Sequence, residues 1–192
     1  MPPPRAWIAV VGPGDAEPEE LVRAEEAGAA VAEAGAGLVC GGLGGVMEAA
    51  CRGARSRGGL TVGLLPGSDR DAANGWVVVA LPTGLGEARN ALVVRAADAV
   101  VAIGGGWGTL SEIALALKTG VPVVGLWTWE PAPPAAPAAG TEPAPGIVAP
   151  RDPARGVVPA TDPAPRIVPA TDPREAVQVA LQLARDRHHS AR

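Results

Sequence analysis

Two charged residues and three glycine clusters carry the chemistry that this sequence offers. Arg89 stands in "GEARN" (86–90), and Glu112 closes "IGGGWGTLSE" (103–112). A guanidinium presents a fork of donors suited to a phosphate or to a heterocyclic base. The glycines follow apolar runs in "VVGPGD" (10–15), "VCGGLGGVME" (39–48) and "VAIGGGWGTLSE" (101–112). Glycine lets backbone amides approach a ligand closely. Where such a loop opens a helix, spare N–H groups and the helix dipole favour an anion, above all phosphate. On this reading Gly12, Gly41, Gly42, Gly44, Gly45, Gly105, Gly106 and Gly108 line the site of a phosphate-bearing ligand. Tight packing of helix on sheet is the other explanation of the same glycines. None of the loops is a dinucleotide fingerprint: Gly42 and Gly44 begin a GxGxxG, but Met47 takes its third glycine place, and no GxxxxGK[ST] occurs.

Each side chain singled out has a second explanation. Thr109-Leu110-Ser111-Glu112 is a capping-box sequence, in which Thr109 caps a helix and Glu112 reaches back to the Thr109 amide. The alternative turns Glu112 towards the ligand, and one carboxylate conformation cannot serve both roles. Arg89 is either a ligand contact or a surface helix residue paired with an acid such as Glu87. Trp107 either stacks on a ring of the ligand or plugs the loop at a subunit contact. Asp15, Asn74 and Thr83 lie near predicted strand ends, where the same ligand would reach them.

The elements that must position these groups are legible as alternating short apolar runs and helical stretches. Strands are expected at 6–12, 37–42, 60–67, 76–82, 98–105 and 121–127. Helices are expected at 18–35, 45–58, 86–97, 109–120 and 173–187. Continuously apolar strands separated by helices indicate a parallel sheet covered on both faces. The fold class is therefore α/β, a Rossmann-like, doubly wound parallel sheet in three layers, with ligands expected beyond the carboxyl ends of its strands. The 192 residues form a single nucleotide-binding domain on this reading. It carries a Pro/Ala-rich surface insertion at 130–145, expected to be extended and exposed, and a ten-residue repeat at 147–156, 157–166 and 167–176. The third copy is expected to supply a last short strand and the cap of the closing helix; the earlier copies read as duplicated surface loop.

Composition narrows the function classes. Hydrophobic residues make up 47%, with five Trp and no Phe or Tyr, so the core is expected to be Val, Leu, Ile and Ala. A net charge of −4 gives no basic footprint for nucleic acid. No apolar run approaches the length of a membrane span. With no secretory signal core, a cytoplasmic location is expected. Cys40 and Cys51, without CxxC spacing, read as buried reduced thiols. His188 and His189 are the only histidines and lie in the C-terminal tail, so no metal site and no His-based triad is expected. Lys118 is the only lysine, at the far end of the helix that begins near Thr109, so a pyridoxal phosphate Schiff base, and with it lysine decarboxylation, is not expected.

The segment "GEARNALVVRAADAVVAIGGGWGTLSE" (86–112) resembles the paired motifs M-H-x-R-K and P-G-G-x-G-T-x-x-E of the LONELY GUY family, long mislabelled as lysine decarboxylases. Arg89 and Glu112 fall on that family's catalytic Arg and Glu. Gly105, Gly106, Gly108 and Thr109 fall on its phosphate loop, and "CGGLGGVMEAA" (40–50), including Met47, is similar to its first glycine motif. The resemblance implies hydrolysis of the N-glycosidic bond of a nucleoside 5′-monophosphate. Gly104 stands where the motif has Pro, Asn90 where it has Lys, and Gly86-Glu87 where it has Met-His. In these features the chain is similar to the neighbouring branch that includes the molybdenum cofactor carrier protein, which implies a non-catalytic carrier of a pterin phosphate. Asn90 is carried as a ligand contact in either case. No cofactor is required for turnover, and the implied occupant is a nucleotide, phosphate or molybdenum cofactor. The partners implied are a small phosphorylated ligand and further copies of the chain, in a homodimer or larger homo-oligomer, with no nucleic acid and no membrane.

Overall fold

The order of the strands across the sheet decides where a ligand can sit. The computed structural model describes residues 3–129 and 167–190. Among them are seven strands: β1 (Trp7–Val11), β2 (Gly37–Cys40), β3 (Thr61–Leu65), β4 (Val79–Pro82), β5 (Ala99–Ile103), β6 (Val123–Leu126) and β7 (Ile167–Ala170). They lie in the order β4-β3-β2-β1-β5-β6-β7, and every neighbouring pair is parallel. The winding reverses between β1 and β5, where Ile8 pairs with Ala99 and Val11 with Ala102. The crevice of a doubly wound sheet opens at such a switch point.

Helices cover both faces. On one lie α1 (Pro18–Glu33), α2 (Val46–Ser56) and α5 (Pro173–Ser190); on the other lie α3 (Asn90–Arg95) and α4 (Trp107–Thr119). The core has no Phe or Tyr to fill it. Its largest fully buried side chains are Ile8, Leu38, Leu65, Ile103, Ile113 and Leu126. The small residues between them let the layers approach. A Cβ at Gly28 would stand 1.9 Å from the carbonyl oxygen of Ala50, and one at Gly53 would stand 1.9 Å from that of Glu25. The α1 and α2 backbones therefore touch directly at two points.

Several boundaries differ from the pattern expected of the chain. The strand expected at 76–82 is ordered as strand only over Val79–Pro82, at the sheet edge. Residues before it are held by turns: the Trp76 amide donates to Asn74 Oδ1 (3.1 Å), and Thr61 Oγ1 to the Trp76 carbonyl (2.7 Å). The helix expected over 86–97 breaks into a 3₁₀ turn, Gly86–Arg89, followed by α3. The last repeat copy does form β7, and Asp172 Oδ1 accepts from the Glu175 amide (2.9 Å) at the head of α5, with Pro173 as its first residue. The Pro/Ala-rich stretch and the first two repeat copies lie outside the described residues. Among the described residues no helix is long and apolar enough to cross a membrane.

Candidate functional site

Three strand tips meet at the switch point. The tip of β1 is Gly12-Pro13-Gly14, that of β2 is Gly41–Gly45, and that of β5 is Gly104–Gly106. They brace one another. The Val46 amide donates to the Pro13 carbonyl (3.0 Å), and a Cβ at Gly45 would collide with the carbonyl oxygens of Pro13 (2.3 Å) and Gly14 (2.5 Å). Gly12 is wedged between β5 and α2, since a Cβ there would meet Ile103 O at 2.6 Å and Val46 Cγ1 at 2.5 Å.

Arg89 lies across the β2 tip. The 3₁₀ turn ends on it, and its guanidinium fills the space a side chain at Gly41 would need: a Cβ there would stand 2.5 Å from Arg89 Nη2 and 2.7 Å from Met47 Sδ. Arg89 is buried and does not pair with Glu87. Its Nη1 donates to Asn90 Oδ1 (2.7 Å) and, at a longer 3.4 Å, to Glu112 Oε1. Asn90 Nδ2 donates to Ser111 Oγ (2.8 Å), and Ser111 Oγ to the Gly108 carbonyl (2.7 Å). A hydrogen-bonded chain thus runs from the guanidinium into the first turn of α4. Ser111 was not singled out from sequence; its place beside Glu112 in the T-x-x-E stretch was the available signal.

The capping box at Thr109 does not form. Helix α4 starts two residues earlier, with Gly106 as its cap, because the Gly106 carbonyl takes the Leu110 amide (3.0 Å). Thr109 and Glu112 then lie one turn apart on the buried face of α4. Glu112 is free to face Arg89, and its carboxyl pKa is pushed up from 4.5 to about 7 by burial, against the pull of the Arg89 charge. Among the described residues Arg89 Nε, Thr109 Oγ1 and Thr128 Oγ1 are buried with no hydrogen-bond partner. Unmatched polar atoms at such a depth are costly.

The glycine loops are not equivalent. Around α2 two amides have partners: the Gly42 N–H donates to Cys40 Sγ (3.3 Å), and that of Val46 to Pro13. Gly41 and Gly42 are buried, and a Cβ at Gly42 would also strike Leu65 (2.8 Å). Gly12, Gly41 and Gly42, expected as ligand contacts, also let neighbours pack on the strand ends: Val46 and β5 at Gly12, Arg89 and Met47 at Gly41, Leu65 at Gly42. Gly44 is open, with nothing nearer than 3.8 Å to its Cβ position. Around α4 the loop is exposed at Gly105, Trp107 and Gly108. Trp107 is the first residue of α4 rather than a residue of the loop before it, and it is 80% exposed. Trp129, not anticipated from sequence, donates from Nε1 to the Gly106 carbonyl (3.3 Å) and pairs with Trp107 at 5.6 Å between ring centroids.

The other residues near strand ends have local partners. Asn74 Nδ2 donates to the Leu43 carbonyl (2.8 Å), supporting the β2 tip, and Thr83 Oγ1 donates to the Leu65 carbonyl (2.7 Å). Asp15 is exposed. Cys40 and Cys51 are buried free thiols with sulfurs 3.5 Å apart beneath the β2 tip. Lys118 lies in the last turn of α4, about 16 Å along the helix from Trp107. Two open hollows, of about 470 and 700 Å³, lie away from the strand tips, around Gly35, Gly58 and Arg5 and around Arg5, Gln178 and Arg185. Neither borders Arg89 or Glu112, and neither contains a buried unmatched polar atom; the crevice at the tips holds both features.

A model of the SLOG cluster4 family matches residues 5–142. An uncharacterized protein of Archaeoglobus fulgidus is 45% identical over 119 residues, covering 62% of this chain and 78% of that protein. The molybdenum cofactor binding protein of the phototrophic bacterium Rippkaea orientalis superposes with a TM-score of 0.72 at 33% identity, over 95% of this chain and 98% of that one. The molybdenum cofactor carrier protein of Chlamydomonas reinhardtii superposes with a TM-score of 0.70 at 32% identity and the same coverage.

Proposed function

This chain belongs to the SLOG cluster4 family, and from that premise we propose that it binds and carries a pterin phosphate, such as molybdenum cofactor, at the β1/β5 switch point. The observation that carries this reading is the convergence of Arg89, Glu112 and the open amide-rich start of α4 on one crevice. The likeness to two proteins described as binding or carrying molybdenum cofactor supports the carrier role over turnover.

The chemistry of the residues fits a phosphate dianion. The first N–H groups of α4 lie outside the helix ladder and at its positive end. Arg89 supplies a fixed cation, held by Asn90. Carboxylates also stand at the tips, Glu20 Oε1 at 1.9 Å from the Cβ position of Gly104 and Glu48 Oε2 at 4.0 Å from that of Gly44, and each would repel a phosphate. Glu112 is the carboxylate held beside Arg89. With its pKa near 7 it takes up a proton at little cost, and as a neutral acid it donates to a phosphate oxygen instead of opposing it. The unmatched Thr109 hydroxyl is a further donor on the same face.

The same Arg–Glu pair favours a second reading. A buried carboxyl titrating near neutrality is suited to glycosidic chemistry on a nucleoside 5′-monophosphate. One experiment separates the two. The full chain is mixed with a pterin phosphate and with a panel of nucleoside monophosphates, and both melting shifts and ribose 5-phosphate release are measured. A carrier gives a shift with pterin phosphate and no ribose 5-phosphate. A phosphoribohydrolase gives product that disappears in Glu112→Ala. In either case Arg89→Ala abolishes the shift; a shift that survives that change removes Arg89 from the site. Assembly as a homodimer or larger homo-oligomer belongs to the same proposal and is read by light scattering.

A further inference from the structure

We propose that Trp107, backed by Trp129, is the stacking platform for the ligand's ring system, which makes the site selective for phosphates bearing a fused bicyclic heterocycle. The inference rests on the phosphate-site reading above. Large apolar side chains are normally driven inward, yet Trp107 is 80% exposed one residue past the Gly106 cap. It is not loosely placed. Trp129 lies against it at 5.6 Å, tilted by 31°, and is pinned by its own N–H to the Gly106 carbonyl. The segment bearing Trp129 is held in turn. Trp127 adopts a left-handed backbone (φ 54°), which is strained for so bulky a residue, and the Arg23 guanidinium lies 5.0 Å over its ring.

The geometry fixes which face is available. A ring between two indoles needs about 7 Å between their planes. The 5.6 Å separation excludes that, so the ligand ring lies on the outer face of Trp107 and Trp129 acts as backing. The neighbouring glycines are needed for the arrangement. A Cβ at Gly105 would stand 2.8 Å from Trp129 Nε1, whereas nothing lies within 4 Å of a Cβ position at Gly108. Stacking discriminates by ring area and not by a hydrogen-bonding edge. A pterin and a guanine, both fused bicycles, are therefore accepted alike, and a phosphorylated sugar without a ring system is not.

The test uses the full chain with Trp107→Ala and Trp107→Phe, titrated calorimetrically with a pterin phosphate, GMP and ribose 5-phosphate. The intact protein is expected to bind the two bicyclic phosphates about 10-fold or more tightly than ribose 5-phosphate. Trp107→Ala brings them down to the ribose 5-phosphate level, which itself changes by less than about 2-fold, and Trp107→Phe restores most of the difference. Equal affinity for all three ligands in the intact protein overturns the proposal, as does a uniform loss in Trp107→Ala. An unchanged affinity accompanied by a smaller assembly also overturns it, and assigns the pair to a contact between copies. Failure of all three phosphates to bind refutes the phosphate site itself, whatever Trp107 does.

Discussion

The buried Glu112 carboxyl makes the protein's stability depend on pH in a direction opposite to that of most carboxylates. Its pKa is raised from 4.5 to about 7 because burial outweighs the attraction of Arg89 at 3.4 Å. Below pH 4.5 the group is protonated both folded and unfolded and contributes nothing. As pH rises from there the unfolded chain releases the proton while the folded one retains it, so stability falls until the folded group ionises near pH 7. The loss attributable to this group between pH 5 and pH 8 is about 2.5 kcal/mol. Glu112→Gln keeps the shape of the protonated acid and its acceptor for Arg89, but it cannot ionise. Urea unfolding of both proteins at pH 5, 6, 7 and 8 isolates the term, because every other titrating group cancels in the difference. The variant is expected to gain on the parent by about 2.5 kcal/mol over that range, most of it between pH 5 and pH 7 and little above. A difference that does not vary with pH would refute the burial argument. A difference of the opposite sign would mean that the ion pair with Arg89 prevails over desolvation.

Two further outcomes follow from the same geometry. Ligand affinity should peak between about pH 6 and pH 7: below that range the phosphate loses its second charge, and above it Glu112 becomes an anion beside the bound dianion. A calorimetric titration showing affinity still rising at pH 8 contradicts the placement of Glu112. Gly28→Ala forces a Cβ to within 1.9 Å of a backbone oxygen, so overpacking exceeds the gain in helix propensity; it should destabilise the chain by about 2–3 kcal/mol, whereas Gly108→Ala, with open space around it, should be neutral or stabilising by up to about 1 kcal/mol in denaturant unfolding.

Much of the fold was legible because apolar strand runs and glycine tips are local signals. So was the use of the third repeat copy as strand and cap; the motif resemblance singled out Arg89 and Glu112, whose direct contact at 3.4 Å is a structural finding. What escaped is tertiary. Thr109-x-x-Glu112 reads as a capping box from any local window, yet the cap moved to Gly106 because burying the Thr109–Glu112 face of α4 outweighs that box. That Arg89, Met47 and Leu65 pack into the missing Cβ positions of Gly41 and Gly42 has no local signal either. Trp129 stands 22 positions beyond Trp107 and enters the site only because β6 runs beside β5. Gly28 and Gly53 carry no mark at all, since a glycine inside a helix looks the same whether or not another backbone lies against it.

That last contact has a consequence for how the site diversifies. Where main chain rests on main chain, as α1 and α2 do at Gly28 and Gly53, there is no side chain whose exchange could tune the angle between them. The half of the crevice mounted on those helices is an anvil of constant shape. The opposite half, around Trp107 and Trp129, is shaped by side chains, so a change of ligand is expected to be met there.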